Sequence, residues 1–372
     1  MIWPYILGIL GLALLMVVHE AGHHLAARRF GMRVLTFSIG FGPTLFKIEP
    51  LDGYFWLTAL GRRIRLRLRP HDPARHGPTV YQVALVPFLA YVQIAGMNPL
   101  EETEPADRGS YANASLPARI TTIFGGPLAN YLFASVLFFF SFYYGGRIVL
   151  PAVIPTEVSV ITGSPAAQAD LRDGDKIVQI EAKPVAEWNE MAKLISRYPG
   201  QPIGITIERE GRRLTKRVTP ANHDGKGRIG VVARGKRVDV GALEAVELAF
   251  TRPPAVVRDL VQALGAWISG RADAELGGPA MIVKESARAA QRGLTELLYL
   301  LGALSAYLGA FNLVPFPALD GGRLMFLGYE LTTRRRPNAR VEAHIHIIGL
   351  VMLLGLMAYV TIFNDFGLGG TK

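Results

Sequence analysis

Val17-Val18-His19-Glu20-Ala21-Gly22-His23-His24 closes an unbroken apolar run over residues 1–18. On a helix His19 and His23 stand four residues apart on one face, so both imidazoles can reach one metal ion. Glu20 lies beside them and can poise a water molecule. This is the H-E-x-x-H pattern of zinc peptidases. Five residues alone match by chance in unrelated proteins, and the setting says more. A His-Glu pair fused to a helix of membrane length is costly unless it is used, so its position points to function.

The chain has 372 residues, half of them hydrophobic. That is too apolar for an ordinary soluble enzyme and fits several membrane spans joined to a soluble part. The net charge of +10 is read as basic flanks on the cytoplasmic side of spans, with no nucleic-acid partner expected. Cysteine is absent, so there is no disulfide framework, and any zinc must be held by His, Asp or Glu. The start lacks the basic region and cleavage site of a secretory signal, so the first apolar helix is expected to stay.

Four transmembrane helices are expected, at residues 1–30, 117–146, 294–322 and 343–364, each near the 20 residues a bilayer requires. Residues 80–100 hold Pro87 and many Val and Tyr residues, and are expected as membrane-associated strand rather than a fifth span. Arg28, Arg29 and Arg33 follow the first span, Arg119 precedes the second, and Arg323, Arg334, Arg335, Arg336 and Arg340 lie between the third and fourth. Those flanks are expected to be cytoplasmic, and residues 146–293 to lie outside.

Residues 31–116 form a β region, either a small cytoplasmic sheet or strands entering the membrane beside the site. Within it, Ile64-Arg65-Leu66-Arg67-Leu68-Arg69 alternates as a half-buried strand does, its arginines toward water or phosphate. Residues 155–237 alternate short strands and turns, which predicts an inserted α+β domain able to fold alone. Residues 241–293 predict amphipathic helices, lying at the outer membrane surface or packed as soluble helices.

A catalytic zinc needs a third protein ligand. The candidate is Asp320 in Asn312-Leu313-Val314-Pro315-Phe316-Pro317-Ala318-Leu319-Asp320-Gly321-Gly322. Pro315 and Pro317 break the helix, and Gly321 lets the backbone approach closely. The first and third spans both run outside to inside, which brings Asp320 to the depth of His19 and His23. A solvated Asp at a helix-ending turn would carry the same local sequence.

These motifs resemble the site-2 protease family of intramembrane zinc metalloproteases, and most of all its bacterial branch with a PDZ domain, which cleaves anti-sigma factors. The resemblance rests on H-E-x-x-H in the first span, N-x-x-P-x-P-x-L-D-G-G in the third, Gly40-Phe41-Gly42, and Gly125-Gly126-Pro127-Leu128-Ala129-Asn130 opening the second. It implies one Zn2+ held by His19, His23 and Asp320, with Glu20 taking a proton from water and returning it to the leaving amine. Asn312 either donates to the developing oxyanion or caps backbone freed at the Pro315 kink. Asn130 is expected to bond between helices.

The implied substrate is a single-span membrane protein similar to an anti-sigma factor, in the lipid bilayer of the bacterial inner membrane, cut near the cytoplasmic face. The stretch Gly40, Phe41, Gly42 and the 64–69 strand are candidate sheet edges for an extended substrate. Residues 155–237 look like one PDZ domain, with Gly163-Ser164-Pro165-Ala166 and Gly174-Asp175 as landmarks, binding a peptide end or excluding bulky substrate ectodomains. The family often has Asn-Gly near Glu181-Ala182, so that turn departs from the pattern.

His24 points about 100° away from His23 and is not expected as a ligand. His344 and His346, two apart, cannot share a helix face for one metal. His71, His76 and His223 are read as solvated. Two other classes remain open: a membrane-anchored PDZ receptor with an inert metal site, and an ion transporter. The transporter would need more facing polar residues than the second and fourth spans offer.

Overall fold

The computed structural model describes residues 2–51, 54–59, 61–66, 79–101, 104, 106–149, 156–161, 163–223, 225–233, 236–270 and 278–365. His71, His76 and the 67–69 end of the alternating strand lie outside the described residues. The chain divides into two compact units, Gly146–Val240 and the remainder.

In the larger unit, four helices are long and apolar enough to cross a membrane: α1 (Trp3–Arg29), α2 (Leu116–Gly145), and two that follow below. Along α1, Gly8, Gly11, Leu15, His19, Gly22 and His23 are buried. They recur every three or four residues and so form one packed face. That face meets α2 at very short range. A Cβ on Gly22 would stand 2.1 Å from the Gly125 carbonyl oxygen, a crossing that small residues alone permit.

Next come α3 (Ala242–Ile268) and α4 (Pro279–Arg292), where amphipathic helices were expected. The third candidate span, α5 (Leu294–Asn312), stops before Pro315, and a new helix, α6 (Asp320–Thr333), begins at Asp320. This corrects one expectation: the third candidate span ends at Asn312 rather than reaching 322, and the basic stretch after it opens as a helix. The physical reason is that two prolines stop one helix while the paired glycines let another start directly behind them. The fourth candidate span is α7 (Ala339–Val360), begun by Asn338, whose side chain accepts from the Arg340 and Val341 amides. It exposes Ile347, Ile348, Val351, Met352, Leu354 and Leu356, the pattern of a lipid-facing helix. A buried ion pair joins α2 to α6, Arg119 to Glu330, at 2.5 and 3.0 Å.

The β region is one sheet of β1 (Val34–Leu51), β2 (Tyr54–Ala59), β3 (Arg62–Leu66) and β4 (Val80–Ile94), ordered β3-β2-β1-β4. Residues 80–94 are strand, as expected. β1 bends at Gly40 and Gly42, both at positive φ, and β4 bends opposite. Ile39 consequently faces Ala90 on one side and Val83 on the other. A Cβ on Gly40 would meet the Val86 carbonyl oxygen at 2.7 Å, so the bend needs glycine. Arg63 is half exposed, bonded to Glu49 at 3.0 Å and stacked over Trp56.

The smaller unit packs Val158, Ile177, Ile180, Met191, Ile203, Ile205, Ile207, Val218 and Ile229 into one core. The Ile203–Arg209 strand supplies every second residue to it. Ser164 caps the Pro165–Gln168 helix through the Ala167 amide. Glu181 takes the turn in the left-handed conformation, φ 51°, and its carboxylate accepts from Gly204 N–H at 2.7 Å. Asp175 is buried. Burial pushes its carboxyl up, but bonds from Arg209 and the Arg172 N–H outweigh this and hold it below the usual range.

Candidate metal centre

His19, His23 and Asp320 converge. Asp320 Oδ2 lies 3.1 Å from His19 Nε2 and 3.2 Å from His23 Nε2, and the two Nε2 atoms are 3.2 Å apart. Both imidazoles are buried, and they meet nearly perpendicular. Among the described residues this is the one cluster of three such side chains able to hold a metal ion.

The donor atoms can be tested against zinc. His23 Nδ1–H donates to the Thr122 carbonyl at 2.8 Å, so its Nε2 is a bare lone pair. Asp320 Oδ2 is buried with no hydrogen-bond partner. Electron-rich atoms at this spacing repel unless a cation sits among them. A tetrahedral ion with bonds of about 2.0–2.1 Å holds its ligand atoms about 3.3 Å apart, close to the spacing observed. The residues fit the ion.

α2 shapes the pocket around the two rings. A Cβ on Gly126 would stand 2.4 Å from His23 Nε2 and 2.9 Å from His19 Cε1, so only glycine leaves the imidazoles room. Asn130 is fully buried, its amide nitrogen 3.4 Å from His19 Nδ1 and its Oδ1 without a partner. Half a turn of that amide presents Oδ1 to His19 Nδ1–H, which satisfies both atoms and gives His19 the tautomer of His23. The expected interhelical polar contact of Asn130 is thus directed at a candidate ligand.

Glu20 projects beside the pair, and its Oε2 accepts from the Val92 N–H of β4 at 3.1 Å. Asn312 donates to the Leu308 carbonyl of its own helix at 3.0 Å. Pro315 and Pro317 form the turn between α5 and α6. Gly321 closes it: a Cβ there would be 2.1 Å from the Val314 carbonyl oxygen. Gly40, Phe41 and Gly42 sit on the β1 bend, with Phe41 exposed. His24 packs its ring against Phe37 and Tyr81, and His344 bonds back to Arg340. Neither is part of the cluster.

Sequence reasoning missed Thr122 and Val92. Both act through backbone groups, which any residue supplies, so their identity carries no signal. The place of Gly126 was visible only through the resemblance.

A family model described as Peptidase family M50 matches residues 7–61 and 73–356. A protein of Rhizobium meliloti described as a "putative zinc metalloprotease" is 32% identical over 379 residues, covering 95% of this chain and 94% of the relative. Proteins with the same description from Agrobacterium fabrum (96% of this chain, 94% of the relative) and Clostridium perfringens (96% and 97%) are each 29% identical.

Proposed function

The chain belongs to peptidase family M50, the site-2 protease family, and is a multi-pass membrane zinc metalloprotease; from that premise we propose that it cleaves peptide bonds within transmembrane helices of single-span membrane proteins. The observation that carries this reading is the convergence of His19 and His23, on one membrane-length helix, with Asp320, which the turn after a second such helix places at the start of α6.

In this reading His19, His23 and Asp320 hold the zinc, which when bound supplies Lewis-acid polarisation and makes water nucleophilic near neutral pH. Glu20 accepts a proton from the attacking water. As the peptide C–N bond breaks, Glu20 returns that proton to the leaving amine. The Val92 N–H fixes the Glu20 carboxylate beside the strand of β4. One Asn312 amide N–H is used by Leu308, and the other donates to the oxyanion that forms on the scissile carbonyl. The substrate, unwound from its helix, adds to the sheet near Gly40, Phe41 and Gly42, where positive-φ glycines open the β1 bend.

The same premise supports an anti-sigma-factor-like substrate, an inner-membrane location with the site near the cytoplasmic face, and a PDZ role for residues 155–237. That unit takes a peptide end or turns away bulky ectodomains. The test is cleavage of a tagged single-span substrate in reconstituted vesicles, with the cut mapped by mass spectrometry. A cut inside the hydrophobic segment supports the reading. Cleavage confined to soluble loops would overturn it.

A further inference from the structure

The two imidazoles are held from outside by α2, through Thr122 and Asn130. Asp320 is delivered differently, by the turn between α5 and α6. Ala318 in that turn has φ 75°, a left-handed conformation that a residue with a β-carbon adopts only when its surroundings enforce it. Two contacts from α7 supply the enforcement. His346 Nδ1 accepts the Ala318 N–H at 3.0 Å. Gly349, three residues on and on the same helix face, lets Pro317 dock against the α7 backbone: a Cβ there would be 2.3 Å from Pro317 Cβ and 2.6 Å from its carbonyl oxygen. The His346 ring also lies 5.6 Å from that of Phe326 on α6, so it is wedged between the turn and the helix that Asp320 begins.

We propose that His346 is a positioning residue of the metal centre: by accepting the Ala318 N–H it holds the turn in the conformation that delivers Asp320 to His19 and His23, which makes one face of α7 part of the site. The proposal rests on the reading that these three residues hold zinc. Because Nδ1 accepts, the ring is neutral with its proton on Nε2. What the turn requires is therefore an acceptor at the Nδ1 position. Asparagine places its Oδ1 at that position. Glutamine carries its oxygen one bond further out.

The experiment uses the full-length protein in detergent, with zinc dissociation read by chelator competition and cleavage kinetics on the same samples. His346→Leu is expected to weaken zinc binding about 10–100-fold, the usual effect of removing a group that orients a ligand, and to lower kcat with KM little changed. His346→Asn should stay within about threefold of wild type, while His346→Gln falls with the leucine variant. Gly349→Ala, which leaves the imidazole intact, should weaken zinc as well. The Asn and Gln variants keep the test decisive if the leucine variant fails to fold. Equal zinc affinity in the Asn and Gln variants, or wild-type affinity in His346→Leu, would overturn the proposal. Asp320→Ala is measured alongside. If it loses zinc while His346→Leu does not, only this inference falls. If it keeps zinc, the ligand assignment falls, and the inference with it.

Discussion

Gly126→Ala adds one methyl group where α2 meets the two imidazoles. The new carbon would stand 2.4 Å from His23 Nε2, 2.6 Å from its Cε1 and 2.9 Å from His19 Cε1, against 3.4 Å for ordinary contact. The His23 ring must therefore retreat by about 1 Å. It has little freedom to do so, because its Nδ1 is bonded to Thr122 and the helix behind it is locked at Gly22 and Gly125. Overpacking of this kind costs about 1–3 kcal/mol. Charged to the metal site, that is roughly a 5- to 150-fold weaker zinc affinity. Cleavage should fall further, since sites tolerate only about 0.5 Å of misplacement. The assay is zinc dissociation by chelator competition, paired with cleavage in vesicles. Gly328→Ala is the control, because its added carbon meets nothing within 4 Å and should leave both readouts unchanged. Wild-type zinc affinity in Gly126→Ala would refute the argument that this glycine makes room for the ligands.

Asn312→Ala should lower kcat about 10²–10³-fold while zinc content and KM hold, as expected for loss of an oxyanion donor; an unchanged kcat would assign Asn312 to its Leu308 bond alone. Glu330→Ala strands the buried Arg119 charge and should cost about 3 kcal/mol, read as a lower thermal midpoint in detergent. The Gly146–Val240 unit should lose stability as acidity increases. The Asp175 carboxyl is held below its ordinary value of about 3.9, so its contribution is complete above that value and fades as pH falls below about 4. Thermal unfolding across a pH series should lose that component of the slope in Asp175→Asn.

The convergence of His19, His23 and Asp320 was legible in part: helix periodicity alone sets His19 and His23 on one face, and the expected directions of the first and third spans put Asp320 at their depth. The sheet was legible in part. Alternation marked the strand near Ile64, but the fold-back of β1 and β4 depends on Gly40 and Gly42 at positive φ, which sequence suggests only as punctuation. The helix from Asp320 was hidden by its two glycines and by charges such as Arg323 and Glu330, which resemble a solvated flank. His346 was set aside on spacing. That rule excludes a metal shared with His344, and it is silent about a bond to a distant backbone amide.

The central claim is that His19, His23 and Asp320 hold the zinc while Glu20 moves the proton. Zinc content and substrate cleavage measured together on Glu20→Gln and Asp320→Ala test it most directly. The account predicts no cleavage by either variant, with zinc retained in Glu20→Gln and depleted in Asp320→Ala. Cleavage at the wild-type rate by Glu20→Gln, or a full complement of zinc in Asp320→Ala, would contradict it.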